Sequence, residues 1–307
     1  ERIHNYEKRL KRTLERIRES EELSKKNKDL ILKFHNYCFS EGVGCAKTER
    51  YVYDCFSFAK LVKKRLDTLN KDELQEFVAM IEMNQWSPNT KHCFKIMIRK
   101  FYRFVEGITE KGVYPEKVRW LKTNVKNCKQ KLPSELLNES EIERMINSTD
   151  NKRGKAFISV LYETGCRIGE VGHLKIKEIE FDEYGARLNV LGKTGARIVR
   201  IVQSSPYLLE WVNNHPLKDN PDTFVWIGKT TKKLLSYGRL TDIIKKLGIR
   251  AGIKKRVHAH LFRHSRATYL AGYLTEAQMK KYLGWAQASK MAGVYVHLNG
   301  KETEDAI

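Results

Sequence analysis

A segment in the second half of the sequence carries an arginine and a carboxylate at a spacing that suits phosphate binding. In Tyr162-Glu-Thr-Gly-Cys-Arg-Ile-Gly-Glu-Val171, Arg167 follows a Thr-Gly break and Glu170 comes three residues later. Residues three apart on a helix are neighbours, so Glu170 can orient the guanidinium of Arg167. That group presents its donors in a planar fork that fits the nonbridging oxygens of a phosphate. An ordinary surface ion pair would show the same pattern.

A second segment places two phosphate-binding side chains on one helix. In His258-Ala-His-Leu-Phe-Arg-His-Ser-Arg266, His260 and Arg263 are three residues apart and project together, with His264 on the same side. Two such groups on a rigid helix predict a preorganised anion site. A basic helix face that binds DNA nonspecifically is the alternative for this segment alone, and His258 is expected on a connecting loop.

A third segment contains a candidate nucleophile. In Tyr282-Leu-Gly-Trp-Ala-Gln-Ala-Ser-Lys-Met-Ala-Gly-Val-Tyr-Val-His297, a helix is predicted to end at Gly284 and Trp285 to follow it, before another helical stretch that carries Tyr295. The chain has 14 tyrosines. Most tyrosines pack their ring and hydrogen-bond their hydroxyl, so Tyr295 alone proves nothing.

These segments lie in a predicted C-terminal domain, residues 134–307, that is mainly helical with a small antiparallel β-sheet. It opens with the capping-box pattern Asn138-Glu-Ser-Glu141. Residues 187–202 alternate in polarity on both sides of Gly-Lys-Thr-Gly, which predicts a β-hairpin with Lys193 near its tip. Helices are predicted around the hairpin at 156–161, 208–212, 240–247, 260–270 and 276–283.

The N-terminal part of the chain is predicted to be helical throughout. Residues 1–23 form one amphipathic helix whose apolar stripe packs on the next domain, packs on another subunit, or belongs to a solvated arm. Residues 24–108 carry four apolar stripes, in 30–39, 51–61, 74–81 and 94–105, and predict a small bundle. Helix starts are indicated by Asn70-Lys-Asp-Glu73 and by Ser87-Pro88.

Residues 109–133 are predicted to be a linker, because they contain Gly112, Pro115 and Pro133 and a basic stretch from Lys122 to Lys131. No internal repeat is evident in the chain.

The charge of the chain indicates a polyanionic partner. Lys and Arg total 58 against 37 Asp and Glu, which gives a formal net charge of +21 and a pI near 9.6. Double-stranded DNA is the leading candidate, because its closely spaced phosphates reward many basic residues through counterion release. An anionic membrane surface is the competitor. No apolar run approaches the roughly 20 residues that span a bilayer, and no signal-like segment opens the chain, so a cytoplasmic protein is expected.

The cysteines indicate neither disulfides nor a metal site. Six are scattered without a Cys-x-x-Cys pair and lie mostly among apolar neighbours: Cys38, Cys45, Cys55, Cys93, Cys128 and Cys166. They are interpreted as small buried side chains in a reducing compartment.

Taken together and in order, these residues resemble the tyrosine recombinase family of phage-type integrases, especially its Xer-like and archaeal integrase branch. The family pattern is Thr-Gly-x-Arg-x-x-Glu, a lysine in a Gly-Lys-x-Gly hairpin, His-x-x-Arg, Leu-Gly-His or Leu-Gly-Trp, and Tyr-x-His. The matching residues here are Arg167 with Glu170, Lys193, His260 with Arg263, Trp285 and Tyr295. The match covers nearly the whole chain, and the helical residues 24–108 resemble the family's core-binding, DNA-binding domain.

The resemblance implies a site-specific DNA strand transferase that works without cofactor or metal. Tyr295 would attack a phosphate held by Arg167 and Arg263, Glu170 would orient Arg167, and His260 and Trp285 would donate hydrogen bonds. His260 would also accept the phenol proton, and Lys193 would protonate the leaving 5′ oxygen. Where Trp285 stands, Xer-like members usually carry histidine; an indole N–H can donate but cannot shuttle a proton. A homotetramer on paired DNA sites is the implied assembly.

Two other functions stay open from the sequence. A type IB topoisomerase uses related chemistry, although the N-terminal bundle favours a recombinase. A DNA-binding protein that has kept the fold without catalysis is disfavoured by the complete residue set. Only residues 296–307 follow the nucleophile, which either puts in doubt a family-type tail that docks on a neighbouring subunit or means that the native chain has been trimmed. Tyr237, Tyr269 and Tyr282 are rival tyrosines expected to be structural, and His264 and His297 are expected to contact DNA or pack locally.

Overall fold

A computed structural model of the chain describes residues 3–123 and 133–299, apart from the side chains of residues 133 and 297–299. The chain divides into two compact units. The helical unit comprises residues 5–129, and the mixed unit comprises residues 1–4 and 130–307. Most of the predicted basic stretch Lys122–Lys131, Cys128, the side chain of His297 and most of the predicted tail lie outside the described residues.

The described part of the helical unit contains six helices, and the four predicted stripes lie on four of them. These helices are α1 (Tyr6–Glu19), α2 (Lys25–Ser40), α3 (Cys45–Val62), α4 (Lys71–Met83), α5 (Pro88–Val105) and α6 (Glu116–Arg119). The predicted starts are confirmed, because Asn70 and Glu73 form a reciprocal capping box and the Ser87 hydroxyl caps α5 with Pro88 at its first position.

Helix α1 packs against α3 of its own chain, so its apolar stripe is covered within the helical unit. Leu10 and Ile17 are buried in the core of that unit. Ile3, which the spacing placed on the same stripe, precedes the helix and is buried in the core of the mixed unit. Its N–H donates to His173 Nε2 at 3.0 Å, and its carbonyl accepts from the N–H of Tyr237 at 2.9 Å. Part of the predicted linker also belongs to the helical unit, since its core includes the side chains of 118 and 121.

The mixed unit confirms the predicted fold class, since it combines eight helices with one small antiparallel sheet among its described residues. Its helices are α7 (Glu139–Asn147), α8 (Lys152–Thr164), α9 (Ile168–Gly172), α10 (Ser205–Asn213), α11 (Tyr237–Arg250), α12 (Ala259–Leu270), α13 (Glu276–Leu283) and α14 (Met291–Asn299). Short 3₁₀ turns occupy 133–135 and 176–178. The predicted capping box at the start of α7 is present, with Asn138 and Glu141 as its partners.

The sheet has the order β1 (Ile179–Asp182), β2 (Gly185–Gly192) and β3 (Gly195–Ile201). Strands β2 and β3 form the predicted hairpin, in which Gly192 pairs with Gly195 and Lys193-Thr194 make the two-residue turn. Strand β1 was not predicted, because it is only four residues long and its pairing with β2 is what defines it. Apolar residues of β2 and β3 are buried on one face of the sheet, which packs on the core of the unit.

One buried carboxylate ties helix α8 to the start of α10. Glu163 accepts hydrogen bonds from the backbone N–H groups of Val202 at 2.7 Å, Gln203 at 3.1 Å and Ser204 at 2.7 Å. The Ser204 hydroxyl donates to the same carboxylate at 2.5 Å. These donors belong to the segment that leads into α10, and Ser204 is the residue immediately before the helix.

We expect a Glu163→Ala variant to lose about 2–4 kcal/mol of unfolding free energy, because it leaves several buried donors unpaired. Urea denaturation monitored by circular dichroism measures the loss. Glu143→Ala is the matched control, since Glu143 is exposed on α7, and it is expected to change stability by less than about 0.5 kcal/mol. Equal stabilities of the two variants would contradict the anchoring role.

Candidate active site

Arg167 and Glu170 form an ion pair at the start of a short helix. Arg167 is the residue immediately before α9, and its Nη1 donates to Glu170 Oε1 at 2.9 Å. Glu170 Oε2 accepts the backbone N–H of Arg167, also at 2.9 Å, which closes the first turn of α9. The carboxylate is buried, whereas 35% of the Arg167 side chain is exposed. The pair therefore leaves part of a fixed guanidinium accessible to a ligand.

Arg263 lies in the interior of the same region, on helix α12. Its Nη1 donates to the carbonyl of Gly165 at 3.0 Å and its Nη2 to the carbonyl of Leu283 at 2.7 Å. Its guanidinium also lies 5.3 Å from the centre of the Trp285 ring. These bonds join α12 to the C-terminal ends of α8 and α13, so the three segments of the predicted site meet at Arg263.

Tyr295 is buried near Arg263 and Trp285, and its hydroxyl is within hydrogen-bond distance of a histidine. Its Oη is 2.5 Å from Nδ1 of His264, and its ring is stacked on Trp285 at 5.5 Å with an angle of 7° between the planes. Helix α14 carries Tyr295, α12 carries His264, and Trp285 follows Gly284 at the end of α13. The structure thus shows Tyr295, His264, Trp285 and Arg263 as neighbours.

The other two predicted site residues, Lys193 and His260, are exposed. Lys193 lies in the turn of the hairpin and forms no ion pair with any residue in the described ranges. The hairpin is nevertheless close to the site, because the Thr194 hydroxyl donates to the carbonyl of Gly284, which also accepts from Arg167. His260 lies one turn before Arg263 on α12.

One residue of this cluster, Arg197 on β3, was not predicted from the sequence. Its Nη2 donates to Glu170 Oε2 at 2.8 Å and its Nε to the carbonyl of Tyr282 at 2.8 Å. The alternation along β3 identifies it only once the inward face of the strand is known. Residues 197, 199 and 201 share one face of β3, and Val199 and Ile201 are buried, so Arg197 is a charged residue on the inward face of an apolar strand.

The cluster carries an excess of positive charge in a buried setting. Three guanidinium groups, of Arg167, Arg197 and Arg263, face one carboxylate, so the net charge is two positive. Burial, together with the charge of Arg167, lowers the pKa of Arg263 to about 10. Burial raises the pKa of Glu170, but the hydrogen bond and charge of Arg197 and the bonds from Arg167 outweigh it, and the pKa lies below its usual value. The site is therefore complementary to an anion.

The nucleophile candidate has a suppressed acidity in this setting. Burial raises the pKa of the Tyr295 phenol, and the charge of Arg263 offsets only part of that increase. The phenol is therefore protonated at neutral pH, and an attack by Tyr295 requires a base that takes its proton.

The side chains of the three other candidate tyrosines make packing or hydrogen-bond contacts with residues outside the arginine cluster. The Tyr282 hydroxyl donates to the carbonyl of Glu163 at 3.2 Å, and burial raises its pKa to about 12. Tyr269 packs against Tyr273 with ring centres 5.0 Å apart, and Tyr237 packs against the ring of His4 at 4.7 Å.

Within residues 3–123 and 133–299, no three His, Cys, Asp or Glu side chains are grouped so that they could hold a metal ion. In the same part of the chain, every helix is too short or too polar to cross a membrane.

Comparison with known sequences gives one family and several relatives. Residues 135–302, more than half of the chain, match the phage integrase family. The tyrosine recombinase XerA of Pyrococcus horikoshii is 26% identical over 279 residues, covering 80% of this chain and 96% of that protein. XerA of Pyrococcus furiosus is 27% identical over 287 residues, covering 91% of this chain and 93% of that protein.

Solved structures show the same fold. The XerH site-specific recombinase, bound to a palindromic difH substrate in a post-cleavage complex, has a TM-score of 0.68 at 19% identity. The alignment covers 99% of this chain and 95% of that one. A lambda integrase tetramer bound to a Holliday junction has a TM-score of 0.67 at 13% identity, with 87% of this chain and 76% of that chain covered.

Proposed function

The chain belongs to the phage integrase family of DNA recombinases, and we propose that it cuts and rejoins DNA through a covalent 3′-phosphotyrosyl intermediate on Tyr295. The observation that carries this proposal is the placement of the Tyr295 hydroxyl against His264, beside Arg263 and its neighbour Trp285. A nucleophile, a base and buried positive charge next to one another are what an attack on a phosphodiester requires.

In the proposed cleavage step, the scissile phosphate binds between the two arginines of the site. Arg167 and Arg263 donate to its nonbridging oxygens, and the indole N–H of Trp285 and the imidazole of His260 supply further donors. The repulsion from Arg167, which contributes to the low pKa of Arg263, is relieved when a phosphate binds. Glu170 keeps Arg167 in place through its two hydrogen bonds.

The phenol oxygen of Tyr295 attacks phosphorus while its proton passes to a histidine. The atom 2.5 Å from the hydroxyl is Nδ1 of His264, so we assign the proton to His264 in preference to His260. The bond from phosphorus to the 5′ oxygen breaks, and Lys193 gives that oxygen a proton. The ester on Tyr295 retains the energy of the broken bond, so a 5′ hydroxyl reseals the strand without ATP.

The same cluster makes a metal ion unnecessary for the proposed reaction. Guanidinium groups fixed at a phosphate stabilise the charge that develops in the transition state, which is a role that divalent cations have in other phosphoryl-transfer enzymes.

We propose double-stranded DNA as the partner, with residues 24–108 as the core-binding domain and residues 134–307 as the catalytic domain. Support comes from the net charge of +21. Further support comes from a cleft of about 490 Å³ in the helical unit, between α1 and α3, whose lining includes Arg9, Arg12, Arg16 and Arg50. By analogy with the lambda integrase tetramer on a Holliday junction, we propose that four copies of this chain assemble on two DNA sites.

The proposal is tested with a nicked suicide substrate that carries the DNA site of the protein. The wild-type chain should form an adduct that survives denaturing electrophoresis, and mass spectrometry of the digested adduct should place the nucleotide on the peptide containing Tyr295. No adduct on a DNA that the protein binds specifically would sink the proposal and favour a binding protein without catalysis.

A second assay separates recombination from DNA relaxation. Two labelled duplexes with sites should yield exchanged products, because a recombinase joins the 5′ hydroxyl of one duplex to the 3′ phosphate of the other. Relaxation of supercoiled DNA without exchanged products would favour a type IB topoisomerase.

A further inference from the structure

We propose that Arg197 is a positioning residue that fixes the β2–β3 hairpin over the active site and so brings Lys193 to the leaving oxygen. The inference rests on the proposed function, since it concerns the proton that Lys193 delivers during cleavage. It adds to the site a residue that touches neither the phosphate nor the nucleophile.

Arg197 joins the hairpin to three other segments of the site. Its Nη2 donates to Glu170 Oε2 at 2.8 Å and to the thiol sulfur of Cys166 at 3.2 Å, and its Nε donates to the carbonyl of Tyr282 at 2.8 Å. These acceptors lie on α9, in the loop before α9 and on α13. Because only 11% of the side chain is exposed, these bonds form in a setting where solvent competes weakly.

The hairpin lies very close to the active-site groups at this point. A Cβ atom on Gly284 would lie 2.6 Å from Nη1 of Arg197, and one on Gly192 would lie 3.1 Å from the same atom and closer still to Glu170 Oε1. Gly284 also has a φ of +62°, which favours glycine. Because both residues are glycines, the end of β2 and the end of α13 can approach the guanidinium of Arg197 this closely.

One donor of this buried guanidinium is unsatisfied. Nη1 of Arg197 is buried and meets no acceptor among the residues that the structure describes. An unpaired buried donor lowers the stability of the folded protein. Stability alone therefore does not explain why an arginine occupies position 197. Arg197 and Arg167 both pair with Glu170 and lower its pKa. The bonds of Arg197 that Arg167 does not share, to Cys166 and to the carbonyl of Tyr282, hold the hairpin.

The hairpin requires such an anchor because its tip is weakly held. Lys193 and Thr194 form a two-residue turn, Lys193 is exposed, and the Thr194 hydroxyl makes one hydrogen bond of 3.2 Å to the carbonyl of Gly284. Arg197 stands opposite Val190 in the ladder, close behind the turn. A long lysine side chain on an unanchored turn would spend little time at the leaving group.

The proposal is tested by removing the need for the proton. In a substrate whose leaving 5′ oxygen is replaced by sulfur, the phosphorus–sulfur bond breaks and a thiolate departs without protonation, because a thiol has a pKa of only about 8.5. Single-turnover cleavage is measured on the oxygen and sulfur substrates, under saturating protein, for the wild type, Arg197→Ala and Lys193→Ala.

Arg197→Ala is expected to slow cleavage of the oxygen substrate by about 100-fold, as misplacement of a reacting group does. It should cleave the sulfur substrate at nearly the wild-type rate, as Lys193→Ala should. If Arg197→Ala cleaves the sulfur substrate at the wild-type rate, the variant is folded and its Arg167, Arg263 and Tyr295 still act. An equal loss on both substrates for both Arg197→Ala and Arg197→Gln would overturn the proposal, and so would an undiminished rate on oxygen.

Arg200→Ala is the matched control. Arg200 is on the same strand and pairs with Asp182 at 2.6 Å, but it lies on the opposite face and away from the turn. The Arg200→Ala variant should cleave both substrates at the wild-type rate.

Arg197→Lys keeps the charge but cannot reach all three acceptors, and we expect this variant to recover part of the cleavage rate on the oxygen substrate. If the wild type forms no adduct on either substrate, the proposed function itself fails, which is a different outcome.

Discussion

A Tyr295→Phe variant is expected to form no covalent adduct with DNA and no recombinant product, while its affinity for the DNA site stays within about twofold of the wild type. The change removes one oxygen, and that oxygen is the atom that would bond to phosphorus. Suicide-substrate trapping measures the adduct, and an electrophoretic mobility shift measures the affinity.

The surroundings of Tyr295 make this substitution informative. The phenyl ring of phenylalanine can keep the stacking on Trp285 that the structure shows at 5.5 Å, so the helix that carries it has no reason to move. The lost contact is the one to Nδ1 of His264. His264 is only partly buried, so water can replace the lost hydrogen bond, and we expect only a small change in melting temperature.

Tyr282→Phe is the control for the removal of a buried tyrosine hydroxyl. Its hydroxyl bonds the carbonyl of Glu163 and lies in the same unit, but it has no place in the proposed chemistry. This variant should form the adduct at close to the wild-type rate. Adduct formation by Tyr295→Phe, or its loss in Tyr282→Phe alone, would assign the nucleophile to a different tyrosine.

Elements with local signals were predicted well from the sequence. The capping boxes at Asn70 and Asn138 depend on residues three apart, and the hairpin depends on alternation on either side of a two-residue turn, so neighbouring residues contain the information. The fold class followed from these elements and was confirmed.

Contacts between segments that are distant in the sequence could not be predicted from it. Ile3 belongs to the stripe of a helix by its spacing, yet it is buried against residues more than 130 positions away, such as His173 and Tyr237. Arg197 resembles any exposed strand arginine until the burial of Val199 and Ile201 shows which face is inward. Pairing and burial of this kind depend on tertiary packing.

The two histidines of α12 show the same limit within the active site. His260 and His264 are one helical turn apart, so helical periodicity places both on one side and does not select between them. The position of Tyr295 on α14 decides which of them meets the hydroxyl, and the structure shows that contact for His264. The family pattern alone led to His260 as the proton acceptor.

A His264→Gln variant is therefore expected to lose about 10²–10⁴-fold in cleavage rate at pH 7, which is the usual contribution of a positioned general base. Glutamine can keep a hydrogen bond to the hydroxyl, but it cannot take the proton. The variant should still bind DNA, because the arginines of the site are unchanged. Single-turnover cleavage of the suicide substrate between pH 7 and 9.5 is the measurement.

The pH dependence identifies the missing step. Burial raises the pKa of Tyr295 above its ordinary value near 10, so throughout this range the phenolate is a minor species. Its fraction grows about tenfold for each pH unit. Without a base the rate follows that fraction, and the His264→Gln defect should shrink steadily as the pH rises, whereas the wild-type rate should change less steeply.

The titration of Tyr295 itself leaves the stability of the fold unchanged over this pH range. A phenol whose pKa is raised in the folded state stabilises the fold fully below the unfolded pKa, and this stabilisation is lost only as the pH rises through the folded value. The range from pH 7 to 9.5 lies below both. His260→Gln is the matched control, because a weakened or displaced donor to the phosphate gives a defect that the phenolate fraction does not repair. If instead His260→Gln shows the steep pH profile and His264→Gln does not, the proton goes to His260.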